Sequence, residues 1–278
     1  MSSILTRSAP CRSACTRSTL ATYRLVVEYD GTDFCGLQFQ PQVRTVAGEL
    51  ERALGALFSS DVRIAAAGRT DTGVHATGQV ISFKAEREFP IERLALALNA
   101  TLPPDLSVRD AAVVAGDFSA RFDALGRTYE YLILNQPLRS ALLRRWTHHV
   151  HRPIDEERFR EAARELVGKH DFVAFCGVLP EFGGTERTIQ MLECEREGAV
   201  LRVRIAADGF LHHMVRVVVG TLVEIATGRR EPAEMRAILN ARDRRRAGYT
   251  APASGLFLAG VRYPGFDSYV RPELAFAP

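Results

Sequence analysis

Ala67-Gly68-Arg69-Thr70-Asp71-Thr72-Gly73-Val74-His75-Ala76-Thr77-Gly78-Gln79-Val80 interrupts a regular succession of short strands and helices with a segment that holds three glycines. Val62 to Ala66 before it reads as a short strand, and Gln79 to Lys84 after it as another. The stretch from Gly68 to Gly78 is therefore expected to be a loop. A glycine-rich loop lets backbone approach a ligand closely. Arg69 beside Asp71 would favour an ionised carboxylate, and an ionised carboxylate can serve as nucleophile or base. No Gly-Lys-Ser/Thr follows at the spacing of a phosphate-binding loop. Taken alone, the pattern favours an aspartate that merely caps a turn.

Outward from this loop the pattern stays consistent. Tyr23 to Tyr29 reads as a strand with Leu25 and Val27 on one face, closed by an Asp30-Gly31-Thr32 turn. Thr45 is placed to cap a helix to Phe58, with Val46, Leu50, Leu54 and Leu57 in one stripe. Ile91 to Leu98 is helical and stops before Pro103-Pro104. Arg127 to Leu134 alternates as a strand. Ile154 to Val167 is an amphipathic helix with acidic residues in its first turn. Thr188 to Arg196 and Val200 to Ala206 read as an antiparallel pair. Phe210 to Thr227 is a long helix, Pro232 to Asn240 a shorter one, and Gly255 to Tyr263 a closing strand. Several successive strands join by short turns, which predicts an α+β fold with mixed, mainly antiparallel sheets. Two α/β subdomains flanking a central cleft are expected, residues 23–112 and 113–270, with the break near 105 to 118.

Composition bounds the class. The 278 residues are 46% hydrophobic and 25% charged, with a net charge of +3. That suits one large domain or two sharing a cleft. No apolar run approaches the roughly 20 residues of a membrane span. Lys84 and Lys169 are the only lysines, so the basic charge is nearly all arginine. Arginine brings a planar fork for phosphates, although a codon bias would also produce it. The five cysteines, Cys11, Cys15, Cys35, Cys176 and Cys194, form no CxxC pair. A disulfide framework is not expected, and a reducing cytoplasm fits. Residues 1–22 are Ser-, Thr- and Arg-rich, with no acid before Glu28. They read as a disordered tail, with a transit peptide or an early start assignment as the other readings.

Five segments then carry a resemblance. Gly68-Arg69-Thr70-Asp71-x-Gly73-Val74-His75 resembles the signature loop of the TruA family of bacterial tRNA pseudouridine synthases. Tyr29-Asp30-Gly31-Thr32-x-Phe34-x-Gly36-x-Gln38 is similar to that family's first strand and turn. Ala120-Arg121-Phe122-Asp123-Ala124, followed by Arg127-Thr128-Tyr129-x-Tyr131, is similar to its central strand. Gly209-Phe210-Leu211-x-His213-Met214-Val215-Arg216 is similar to its C-terminal helix, and Ala251-Pro252-Ala253-x-Gly255-Leu256-x-Leu258 matches its close. Leu37 departs from the pattern, standing where the family usually has tryptophan.

The resemblance runs from Tyr23 to Tyr263 and implies the pseudouridine synthase fold and isomerisation of uridine at nucleotides 38, 39 and 40 of the tRNA anticodon stem-loop. It implies Asp71 as the catalytic aspartate, Tyr129 against the target base, Arg216 paired with the carboxylate, Arg69 holding the nucleotide out of the stack, and Leu256 lining the uracil pocket. It also implies tRNA as partner, a homodimer, and no metal or other cofactor. From the residues alone, Tyr129 reads better as a core strand tyrosine, and Leu256 reads nearly as well as a core leucine. Arg216 is a site candidate without any resemblance, because a charge on an apolar helix needs a partner or a cleft. His75 reads as a structural hydrogen-bonder. His148, His149 and His151 near Trp146, and His212-His213, have no carboxylate at a recognised ligand spacing and are read as non-metal. Arg242, Arg244, Arg245 and Arg246 form a basic run, as do Arg139, Arg144 and Arg145; solvated surface charge and phosphate contact are the two readings. A catalytically silent RNA-binding protein of the same fold is the alternative function. An aspartyl-nucleophile hydrolase lacks its second aspartate.

Overall fold

The structure, a computed structural model, describes residues 20–86, 88–181 and 183–274. The expected tail lies outside the described residues up to position 19. Its last two residues, Ala21 and Thr22, already belong to a strand.

In chain order the main elements are β1 (Ala21–Tyr29), α1 (Val46–Phe58), β2 (Ile64–Ala66), β3 (His75–Ala85), α2 (Ile91–Asn99), β4 (Leu106–Val114), β5 (Gly126–Asn135), β6 (His148–Val150), α3 (Glu156–Arg164), β7 (Gly168–Asp171), β8 (Glu186–Glu197), β9 (Val200–Ala207), α4 (Met214–Ala226), α5 (Glu234–Ala241), β10 (Leu256–Tyr263) and β11 (Phe266–Asp267). All described strands join one sheet in the order β4-β1-β3-β10-β5-β9-β8-β7, with β2 on β3, β6 on β5 and β11 on β10. The pairings are antiparallel except β3 with β10 and β5 with β6. The α+β class and the mainly antiparallel character are as the sequence predicts. The plural is not: β10, from the end of the chain, inserts between β3 and β5 and makes a single sheet of what short-range turns suggest are two.

Local physics sets most elements. Thr45 caps α1, its hydroxyl accepting from Gly48 N at 3.2 Å. Val46, Leu50 and Leu54 are fully buried, and Leu57 packs half-buried beside them. Asp155 caps α3 by accepting from Glu157 N and Arg158 N, so this helix is shorter at both ends than the predicted Ile154 to Val167. The largest surprise is β4. It occupies the stretch where the break between halves was expected and pairs with β1 along its length. Its sequence, Leu-Ser-Val-Arg-Asp-Ala-Ala-Val-Val, carries a weak alternation and a central acid, so the edge pairing outweighs the local pattern.

α4 begins at Met214, not at Phe210. The four residues before it form a loop that ends in His213 at φ +60°, a left-handed step that breaks helical continuity. Their hydrophobicity mimics a helix because Phe210 and Leu211 face the cleft and core rather than a helical stripe. Beyond that start α4 is buried almost all round, with Val217, Val218, Val219 and Leu222 fully enclosed. Each such side chain contributes roughly 1.5–3 kcal/mol. None of the described helices is long and apolar enough to cross a membrane. The described cysteines, Cys35, Cys176 and Cys194, are unpaired.

β5 alternates as predicted, yet from Tyr129 to Leu134 the side chains of both faces are buried. Tyr131 and Ile133 join the main core, while Leu132 and Leu134 join a second cluster with Leu143, Val200 and Phe257. His148 sits between the rings of Tyr131 and Tyr249, and its Nδ1 is buried without a hydrogen-bond partner. Burial, with nearby His149, holds its imidazole down at about 4, against an ordinary 6.5. The unfolded chain therefore binds this proton first as pH falls, and folding stability drops below pH 6.5 until the folded state also protonates near 4. Between pH 7 and pH 5 this group is expected to remove about 2 kcal/mol. Urea unfolding of the parent and of His148→Phe at both pH values checks it: the variant should lose less stability over the interval.

Candidate active site

The Ala67–Val74 loop is held from below by polar contacts. Gln79, fully buried, donates from Nε2 to Gly68 O at 2.7 Å and accepts at Oε1 from Gly68 N and Val80 N. Arg127 donates from Nη2 to Ala67 O at 2.8 Å. Thr70 shares a 2.8 Å hydrogen bond with the Tyr29 hydroxyl, and its carbonyl accepts from Leu37 N at 3.0 Å. Gly36 makes that last approach feasible: at φ +83° a Cβ would lie 2.9 Å from Thr70 O, so glycine alone is comfortable there. His75 follows the loop as the first residue of β3. Its Nδ1 accepts from Gly31 N at 3.0 Å, its Nε2 donates to Arg145 O at 2.9 Å, and its ring stacks on Phe257. This is the structural role read from the sequence. The loop is shorter than the predicted Gly68 to Gly78, because pairing with β1 and β10 extends the strand back to His75.

The loop borders a cleft of about 810 Å³ whose lining includes Arg69, Asp71, Tyr129, Arg216 and Leu256. All five candidate residues thus face one space. Asp71 is about one-third exposed, and Arg216 Nη1 lies 3.5 Å from its Oδ2. Arg216 is aimed by the Ala251 carbonyl, to which its Nε donates at 2.8 Å. Arg69, the sequence neighbour of Asp71, makes no ion pair among the described residues and stands exposed on the cleft wall. The cation that faces Asp71 comes from α4, not from the loop.

Tyr129 is 8% exposed, with its ring edge-on to Phe210 at 5.1 Å between centroids. Its hydroxyl adjoins Gly68, within 3.6 Å of where a Cβ on that glycine would stand. Burial pushes this phenol well above its ordinary value, and Tyr29 and Asp71 push the same way. Tyr129 is therefore a neutral phenol at physiological pH, suited to packing and hydrogen bonding. Leu256 is 5% exposed and pairs in the sheet with Tyr131.

Sequence reading missed four neighbours. His213 Nε2 lies 3.3 Å from Asp71 Oδ2, and His212 Nε2 lies 3.9 Å from Oδ1. Arg121 and Arg187 also line the cleft. His212-His213 have no carboxylate at a ligand spacing in the sequence, but the fold brings one beside them: Asp71 and both histidines present donor atoms within 4.8 Å of one another. The two imidazoles are stacked, 3.7 Å between centroids and 27° between planes. Lone pairs from rings stacked this way run side by side, whereas a shared ion at the roughly 2.0–2.1 Å of a histidine–zinc bond needs them to converge. The arrangement suits polar contact with the carboxylate better than chelation. The signal for His213 was its spacing: three residues before Arg216, it lies on the same side of the helix start.

The basic run after α5 is largely engaged within the protein. Arg244 donates to Gly248 O and Thr250 Oγ1, Arg242 pairs with Asp171, and Arg245 with Asp243. Arg145 faces Asp30 and Asp33.

Comparisons with known proteins bear on this geometry. A family model described as tRNA pseudouridine synthase matches residues 25–123 and 162–264. The tRNA pseudouridine synthase A of Halalkalibacterium halodurans is 46% identical over 233 residues, 84% of this chain and 89% of that protein. The Brevibacillus brevis protein of the same name is 43% identical over 240 residues, 86% and 98% of the two chains. That of Pseudoalteromonas translucida is 41% identical over 254 residues, 91% and 96%.

Gln79 is the strut on which the loop rests. Gln79→Leu leaves both polar groups of Gly68 without their partner, and is expected to lower stability by about 1–3 kcal/mol. Chemical denaturation measures this.

Proposed function

The chain belongs to the tRNA pseudouridine synthase family, and from that membership and the groups gathered round Asp71 we propose that it converts uridine to pseudouridine at nucleotides 38, 39 and 40 of the tRNA anticodon stem-loop, with Asp71 as the catalytic group. It is an isomerase: the uracil leaves the ribose through N1 and rejoins it through C5, with no net oxidation or hydrolysis. The observation that carries the role of Asp71 is its place in a cleft whose lining also includes Tyr129, Arg69, Leu256 and Arg216.

Each neighbour then has a task that its chemistry fits. The target base must leave its stack to be reached. Arg69, exposed and without an ion-pair partner among the described residues, is the guanidinium available to occupy the vacated space. Leu256 offers an apolar wall to the uracil. The Tyr129 ring packs on the base, and its neutral hydroxyl is placed to assist loss of the C5 proton. Arg216, tethered to Ala251, keeps a cation against Asp71 while the carboxylate starts cleavage of the uracil–ribose bond, whether at the sugar or at the base. The arginines on the cleft wall suit a polyanionic strand. The division at residue 112 makes the cleft a seam between a catalytic half and a second half reaching residue 270. The enzyme acts in the cytoplasm as a homodimer across which one tRNA lies, and it draws on no metal or other cofactor.

The test is release of tritium from tRNA labelled at C5 of uridine, with no added metal. The parent should release label. Asp71→Asn should release none while still melting cooperatively and binding tRNA. Label release by a folded Asp71→Asn would remove the aspartate from its role, and binding without release by the parent would favour a silent RNA-binding protein.

A further inference from the structure

The two oxygens of Asp71 are not treated alike. Oδ2 faces Arg216 Nη1 at 3.5 Å and His213 Nε2 at 3.3 Å. Oδ1 has only His212 at 3.9 Å and accepts no hydrogen bond among the described residues. A carboxylate tied through one oxygen presents the other.

His213 is held in place by several independent devices. Its backbone takes φ +60° immediately before α4, which sets its ring beside Asp71 instead of extending the helix. The His212 ring is stacked on it at 3.7 Å. Behind the pair lies Gly177, where a Cβ would stand 2.9 Å from Nδ1 of both rings. Gly177 N donates to His212 O at 2.9 Å, fastening that segment to the pair. Burial holds the His213 imidazole below its ordinary value; Asp71 opposes this, while His212, Arg216 and Arg244 reinforce it. At neutral pH the ring is therefore uncharged, and it meets the carboxylate as a dipole beside the Arg216 cation.

Resting on the catalytic reading of Asp71, we infer that His213 is a positioning residue for the isomerisation: with Arg216 it holds Oδ2 and turns Oδ1 toward the uridine. Free rotation of a carboxylate would scatter its oxygens over many directions, and fixing one of them recovers an orientation advantage. Arg216 makes a long hydrogen bond to Oδ2 at 3.5 Å, and His213 Nε2 approaches the same oxygen at 3.3 Å without being aligned as a donor; such contacts commonly align and tighten only when substrate is bound. His213 needs no contact with the uracil for this task, so its loss should slow the reaction without weakening tRNA binding.

The left-handed backbone at position 213 chooses the variants. Glycine and asparagine both tolerate it, and neither reaches Asp71 as imidazole does. In the full-length protein, His213→Gly and His213→Asn should each lower the C5 tritium-release rate at saturating tRNA by about 10–100-fold, the range associated with a misplaced reacting group. Their dissociation constants for tRNA should stay within about twofold of the parent, since a phosphate-dominated interface is untouched. Imidazole added to the buffer should restore part of the rate of His213→Gly, whose cavity admits it, and none of His213→Asn. A parental rate in folded His213→Asn overturns the inference. So does a loss in His213→Gly that imidazole leaves unchanged, because a purely structural role for the residue predicts that. Asp71→Asn serves as the companion measurement. If it is active, the reading beneath has failed; if it is inactive while His213→Asn is not, only the role of His213 has failed.

Discussion

The insertion of β10 between β3 and β5 is the constraint on which the site depends. Phe257 and Leu258 pair in parallel with His75 and Ala76 on one side. Leu256 and Leu258 pair antiparallel with Tyr131 and Tyr129 on the other. Those few rungs anchor the end of the Asp71 loop beside the strand that carries Tyr129 and beside Leu256, and Asp71, Tyr129 and Leu256 line one cleft. α4 completes it from β5's other neighbour, β9, through the loop that ends in His213. Without β10 the Asp71 loop and the tyrosine would belong to separate sheets, and nothing local would hold them in register.

The same pairing of acid and arginine appears twice with opposite outcomes. On the far face of β5, Glu130 is fully buried between Arg202 at 2.6 Å and Arg204 at 3.0 Å, with the Tyr269 hydroxyl closing the set. A buried carboxylate is tolerable only when its hydrogen-bonding capacity is met in this way, and a group so enclosed has nothing left to offer a substrate. Asp71 is one-third exposed, with longer contacts on one oxygen and space before the other. The difference lies in the surroundings: Glu130 is sealed by the segment after β11, whereas Asp71 looks into the cleft. Chemistry is available only where the neutralisation is incomplete.

Elements whose physics is local were legible in the sequence. The Thr45 cap and its apolar stripe gave α1, and the alternation of Thr188 to Arg196 and Val200 to Ala206 gave the β8–β9 hairpin, each within a few residues of the observed bounds. What failed depends on distant partners. β4 is a strand because β1 offers it an edge. His75 to Gly78 are strand because β1 and β10 arrive there. Phe210 to His213 continue the hydrophobic pattern of α4 but are needed as cleft wall. The membership of the site was legible in the sequence, while the neighbours that surround Asp71 in space, His212, His213 and Arg187, were not. Asp71, Tyr129, Arg69, Arg216 and Leu256 share a space; sequence adjacency alone suggested Arg69 beside the carboxylate, whereas the resemblance pairs it with Arg216, which lies 3.5 Å away.

Arginine abundance illustrates why such assignments need the fold. The conspicuous cluster, Arg242 to Arg246, is mostly tied to Asp171, Asp243, Gly248 and Thr250. Arg127 is likewise consumed by backbone carbonyls that fix the loop. Arg69 and Arg121, which form no ion pair among the described residues, stand singly in sequence and meet only on the cleft wall. A guanidinium already committed to an internal carboxylate adds little attraction for an external phosphate, because its charge is offset and its donors are occupied. The surface on which RNA is expected to lie is thus defined less by where arginines are dense than by where the fold leaves them unmatched.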